Sequence, residues 1–272
     1  MAIRGPRSKM QQLLKLLYNN RYVSRYKVCE DKIIVRDTFW AHPESIKLFN
    51  TFLTVLVIDS TYKTNKYRLP LLEIVGVTSM EKTFSVGFVF LESEKEVNVT
   101  WASEMCKNLL KNQENMPNVI VTGRDTALMN SVAKVFPTSY TLHRHLGNIT
   151  TNIVKFAHST LKKWLGDSKG DFCREQDTLN QMLQNQHNEI KINFGRSITV
   201  LEHRFKHNTL YSDLVDYVSH AGLNFIFHEA KRVEKISLDS SKYGCTLRKT
   251  YDLPCACIIS KKMKPDALDM YE

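Results

Sequence analysis

The chain has 272 residues, 43% of them hydrophobic, with 13 Phe and 11 Tyr, which excludes a disordered polymer and allows a sizeable core in one large domain or a domain with a helical appendage. No apolar run approaches the ~18 residues that span a bilayer. The basic N-terminus is broken by polar residues before any cleavage-site pattern, so an intracellular protein without a membrane partner is expected. The net charge of +10 and pI near 9.2 favour a polyanionic partner, because Lys and Arg that neutralise phosphates release condensed counterions.

In chain order, the first 27 residues hold seven Lys or Arg and no acid, and residues 8 to 18 read as a solvated amphipathic helix. "DKIIVRDTFW" reads as a short strand and "HPESIKLFNTF" as a short helix with Pro43 in its first turn. Three β-rich runs follow, at 54 to 61, 69 to 79 and 83 to 93, joined by connections short enough for antiparallel neighbours. A helix is predicted over 97 to 113, a strand over 118 to 122, a helix over 126 to 135 and a strand over 138 to 144. This pattern implies an α/β fold, a mixed sheet covered by helices. From about 150 onward the periodicity is helical, including a long helix through "YSDLVDYVSHAGLNFIFHEAKRVEKI", until "GCTLRKTYDLPCACII" reverts to short β or loop structure.

Two places raise questions of chemistry. Asp59 sits within an otherwise apolar strand, "VLVIDSTY", where a carboxylate is costly unless a cation or donors satisfy it; a metal and a local bond to Ser60 or Thr61 are both open. In "VIVTGRDTALMN", glycine occupies the strand end where a nuclease would place an acid, and Asp125 follows two residues later as an N-cap for the next helix.

The runs "VLVIDSTYKTNKYRLPLLEIVGVTSMEKTFSVGFVFLESE", "VIVTGRDTALMNSVAKVFP", "HLGNITTNIVKFAHSTLKKWL" and "SKYGCTLRKTYDLPCACII" resemble, in order, plant Mutator-like element (MULE) transposases, relatives of the far-red-impaired-response transcription factors. The resemblance implies a ribonuclease H-like core that, in active members, uses Asp, Asp and Glu with Mg²⁺ or Mn²⁺ to cut and join DNA. It makes Asp59 the first triad acid. It sets Gly123 at the second position and Lys155 at the third, so two acids are lost, with Asp125 a poor substitute and Glu73 or Glu92 the acids to which a rebuilt site would turn. A cation at 155 that still faced Asp59 would replace the metal with a salt bridge. The family's helical insertion, with its Cys-x2-His pair, is missing; His143 and His145 read instead as ordinary junction histidines.

The resemblance also makes Cys245, Cys255 and Cys257 remnants of a SWIM-type zinc finger, with Tyr243 at the first Cys. Three thiolates fall short of the four ligands of a closed Zn²⁺ site, so a degenerate hairpin without metal is favoured, with His228 or Cys173 as conceivable fourth ligands. The expected organisation is a basic lead-in over 1–50, an internally deleted transposase core over 51–165, a helical region over 166–240 and the cysteine tail over 241–272. A truncated, catalytically inactive, nuclear transposase derivative that binds DNA weakly and without sequence preference is expected. The rivals are a DNA-binding regulator of the domesticated type and a decayed product with no role. The oligomeric state is not legible in the sequence.

Overall fold

A computed structural model describes residues 8–29, 34–62, 64–123, 125–143, 159–166, 170–200, 202–206, 211, 214–215, 217–233, 248, 251 and 253–263. Lys155, Cys245 and His145 lie outside the described residues, and with them the expected Lys155–Asp59 pair. The chain divides into two compact units, one of residues 1–78 and 83–189, the other of residues 79–82 and 190–272. No helix among the described residues is long and apolar enough to cross a membrane.

The first unit is built on a mixed sheet of seven strands: β1 (Val23–Val28), β2 (Val35–Ala41), β3 (Val55–Thr61), β4 (Leu71–Val77), β5 (Thr83–Phe90), β6 (Val119–Thr122) and β7 (Tyr140–His143), in the order β1-β2-β5-β4-β3-β6-β7. As expected, β3, β4 and β5 pair antiparallel. The later strands β6 and β7 run parallel to β3, which requires the crossover helices between them. All seven residues of β4 are buried, the near-continuous apolar run of a strand covered on both faces.

Alternation along the strands separates those faces. Trp40, Leu71, Phe88 and Phe90 meet Leu13 and Leu17 of α1 (Lys9–Asn19), Leu161 of the 159–165 helix (α5), and Phe172, Leu179 and Met182 of α6 (Phe172–Thr199). Asp37, of opposite parity to Trp40 on β2, accepts hydrogen bonds from Asn98 Nδ2 (2.9 and 3.1 Å) of α3 (Glu96–Lys107), so α3 covers the other face. There α4 (Thr126–Val135) lies beside it, with the Thr100 and Ser131 hydroxyls 3.0 Å apart.

The structure departs from expectation in three elements. The N-terminal helix is not simply solvated: a Ser8–Gln11 capping box starts it, and the i, i+4 pair Leu13 and Leu17 docks fully into the core. Strand β1, "VSRYKV", was missed because an edge strand buries little and its sequence stays polar. In the second unit the long helix starts only at His220, since Ser219 caps it by accepting the Gly222 N–H, while Leu214, Val215 and Tyr217 lie in turns. That unit has its own core of Phe205, Tyr211, Leu223, Ile226 and Ile259.

Two buried carboxyls of the first unit, Glu73 and Glu175, are each pushed up to about 7, chiefly by burial. The folded chain therefore keeps two protons that the unfolded chain releases nearer 4.5. The sign follows: this contribution to stability is complete below about pH 4.5 and is lost as pH rises through about 7. Urea melts should show stability falling from pH 5 to pH 8 by on the order of 2–3 kcal/mol for each group. Glu73→Gln with Glu175→Gln should flatten that slope, whatever the variant's absolute stability.

Candidate functional site

The strand after β3 lies on one side of it and β6, its parallel neighbour, lies on the other. Order therefore reverses at β3, and the carboxyl ends of β3 and β6 lie side by side at the kind of switch point where open α/β sheets bind ligands. Asp59 stands near the end of β3, half-buried, its Oδ1 accepting the Ser60 N–H at 3.0 Å. Val55 pairs with Val119 and Val57 with Val121, so parity puts residue 123 on the same face as Asp59. A Cβ built on Gly123 would lie 3.2 Å from Asp59 Oδ1. These two sequence-predicted positions are thus direct neighbours, and the position facing Asp59 carries no side chain.

The other acids divide by what satisfies them. Glu73, the antiparallel partner of Asp59, is buried and accepts the Ser85 hydroxyl at 2.6 Å; burial raises it, and the Asp59 charge adds to that while the Ser85 bond opposes it. Asp125 is the N-cap of α4, accepting the Leu128 N–H at 2.8 Å. Glu92 lies away from the site at the surface, 3.7 Å from Arg36.

Glu94 is the residue that sequence reasoning missed. Burial raises its carboxyl, a hydrogen bond from Ser60 opposes the rise, and the charges of Asp125 and Asp59 add to it. Glu94 thus lies within electrostatic reach of Asp59 and Asp125. Nothing in "LESEK" distinguishes it from a solvated turn acid; the only signal is its place just past β5.

Strand cleavage by two metal ions requires several carboxylates converging on ions ~3.5–4 Å apart. Among the described residues no three His, Cys, Asp or Glu side chains are close enough together to hold an ion. Glu73 is held as a neutral acid over much of the range below pH 7, Asp125 is engaged by a helix N-terminus, and position 123 offers no oxygen. The described residues do not fit the metal pair of an active member.

The cysteine tail also differs from its expected form. Residues Ala256–Met263 form a helix rather than a hairpin. The Glu229 carboxylate accepts the Ala256 N–H at 2.8 Å, an anion at a helix N-terminus that only the fold supplies. Cys255 and Cys257 are buried at its start, whereas His228 is exposed.

Residues 55–146 match the MULE transposase domain. The chain carries a MULE transposase domain. Among curated proteins of Arabidopsis thaliana it is similar to FAR1-RELATED SEQUENCE 5 (30% identity over 103 residues, 38% of this chain and 13% of that protein) and FAR1-RELATED SEQUENCE 6 (31% over 106 residues, 39% and 15%). It is also similar to FAR-RED IMPAIRED RESPONSE 1, at 26% identity over 103 residues, covering 38% of this chain and 12% of that protein. The chain thus spans less than a fifth of the length of each of these relatives. This MULE domain contains Asp59, Glu73, Glu94, Gly123 and Asp125.

The cap role of Asp125 separates cleanly from a ligand role. Asp125→Ala should lower stability by about 1 kcal/mol, while Asp125→Asn, an equally good cap without the charge, should retain nearly all of it. Denaturant melts of the two variants against the parent give the comparison. Equal losses in both would mean that the charge, not the cap, is what matters there.

Proposed function

We propose that this chain is a transposase-derived protein with a ribonuclease H-like MULE core that has lost strand cleavage and engages DNA through its phosphate backbone, weakly and without sequence preference, in the nucleus. The observation that carries the loss of cleavage is the Gly123–Asp59 juxtaposition: 3.2 Å separates Asp59 Oδ1 from where a Cβ at 123 would stand. The resemblance assigns an acid to that position, and its second carboxylate is what a shared ion would need. The sheet order, a three-stranded antiparallel meander continued by two parallel strands, supports the ribonuclease H-like reading. The net charge of +10 supports a polyanionic partner, and phosphate contacts of that kind carry no base information. Zn²⁺ at Cys245, Cys255 and Cys257 stays outside this proposal.

Incubation of the purified chain with supercoiled plasmid and Mn²⁺ or Mg²⁺ tests it. The parent and Asp59→Asn should both leave the plasmid uncut. Metal-dependent nicking by the parent that disappears in Asp59→Asn would overturn the proposal.

The same juxtaposition predicts a gain. Gly123→Asp brings a second carboxylate against Asp59, so in chelator the variant should melt below the parent through like-charge repulsion. Mn²⁺ should then raise its melting temperature while leaving the parent nearly unmoved, because an ion shared by two carboxylates stabilises the state that binds it. Thermal scans with and without Mn²⁺ supply the measurement, and an unchanged variant would show that position 123 does not address the same point in space as Asp59.

A further inference from the structure

The hairpin loop between β3 and β4 begins right after the strand that carries Asp59; Thr61 and Leu71 form its last pair. Its sequence, "YKTNKYRLP", carries Tyr62, Lys66, Tyr67 and Arg68, all exposed, over a buried base of Thr64 and Asn65. Loops of this composition are commonly loose. This one is held: Asn65 Oδ1 accepts the Leu69 N–H at 3.1 Å, Asn65 Nδ2 donates to the Leu69 carbonyl at 3.0 Å, and the Arg68 N–H donates to the Asn65 carbonyl at 3.1 Å. A further bond ties it down, from the Lys66 N–H to the Gly170 carbonyl at 3.2 Å, and the Tyr67 ring stacks on Phe172 at 4.3 Å.

The clamp holds Arg68 at φ 57°, in the left-handed region that is strained for a non-glycine residue. A solvent-facing arginine needs no such conformation for folding, since glycine or asparagine would fill it at lower cost. Asparagine is instead spent on the clamp. Among the described residues no ion pair involves Lys66 or Arg68. The acid facing the loop is Asp171, held below the usual carboxylate range chiefly by Lys9, to which it is paired at 3.0 Å; Lys66 adds a weaker attraction of the same sign. Lys66 Nζ also lies 5.2 Å from the Tyr67 ring centroid, which orients the ammonium without neutralising it.

We propose that this loop is a preformed phosphate-binding turn, with Lys66 and Arg68 contacting successive phosphodiesters of a nucleic-acid strand and leading it past Asp59. The inference rests on the nucleic-acid-binding reading above. A strand rise of ~3.3 Å per residue puts the loop's first residues within about 10 Å of Asp59, so the turn extends from the same end of β3 that carries that acid. Holding the backbone that bears two cations in place beforehand reduces the ordering cost of the contact.

Fluorescence anisotropy of a short labelled DNA duplex and of its single strand, titrated with the full chain between about 50 and 200 mM salt, tests the proposal. Lys66→Gln with Arg68→Gln should weaken binding several-fold at the low-salt end. It should also reduce the slope of log K against log salt by about 1.8 for duplex and about 1.4 for single strand, the loss of two phosphate contacts. Lys111→Gln with Lys134→Gln, an equal charge change at exposed lysines elsewhere, should keep the parent's slope. Circular dichroism melts establish that both variants fold. If the parent binds and the loop variant keeps its slope and affinity, the loop proposal is wrong while the nucleic-acid reading stands. If the parent shows no salt-dependent binding to either probe, that reading falls and this one with it.

Discussion

The parallel pairing of β3 with β6 is the constraint on which the rest depends. Both strands are apolar and short, both faces of the sheet are covered, and a slip of one residue would turn every buried Val and Ile to the wrong face. The register is therefore fixed by the core and not by the site. Once it is fixed, residue 123 must stand beside Asp59, and the amino end of α4 must follow at Asp125. Packing by itself is enough to hold this geometry, whatever side chain stands at position 123.

The acids near the ends of β3 and β6 illustrate how the protein's own groups accommodate carboxylates. Glu73 gives up its charge over much of the accessible pH range and accepts a serine hydroxyl. Asp125 turns to the N–H of Leu128, and Asp59 to that of its own neighbour Ser60. Glu94 is raised by burial and by its acidic neighbours. Each solution is local, and together they leave a crevice of carboxylates that feel one another's charge without converging on a point. A nucleic-acid strand would be repelled there unless cations flank it, and the clamped turn after β3 supplies cations on one side.

Much of this was legible beforehand. The apolar runs specified β3 to β7 to within a few residues, Asp125 read as an N-cap from its place before an apolar helix, and Asp59 stood out because a charge follows directly on "VLVI" within the strand. Strand β1 escaped because an edge strand has no need of apolar alternation, and the C-terminal helix escaped because its N-terminus is capped by Glu229, 27 residues earlier in the chain.

Sequence by itself determined the element types and the family, because periodicity and motif order are properties of the chain. It also determined which residues occupy the aligned site positions. Only the tertiary structure decided that Glu94 feels the charge of Asp59 while Glu92 lies at the surface beside Arg36: the two acids are two residues apart, and their surroundings depend on how the chain leaves β5. Only the tertiary structure decided that Lys66 and Arg68 are held in place, since the clamp joins Asn65 to Leu69 and the loop to Gly170, a hundred residues on. Such contacts leave no periodicity in the sequence, because they are made once, between side chain and backbone, where the fold happens to bring them together.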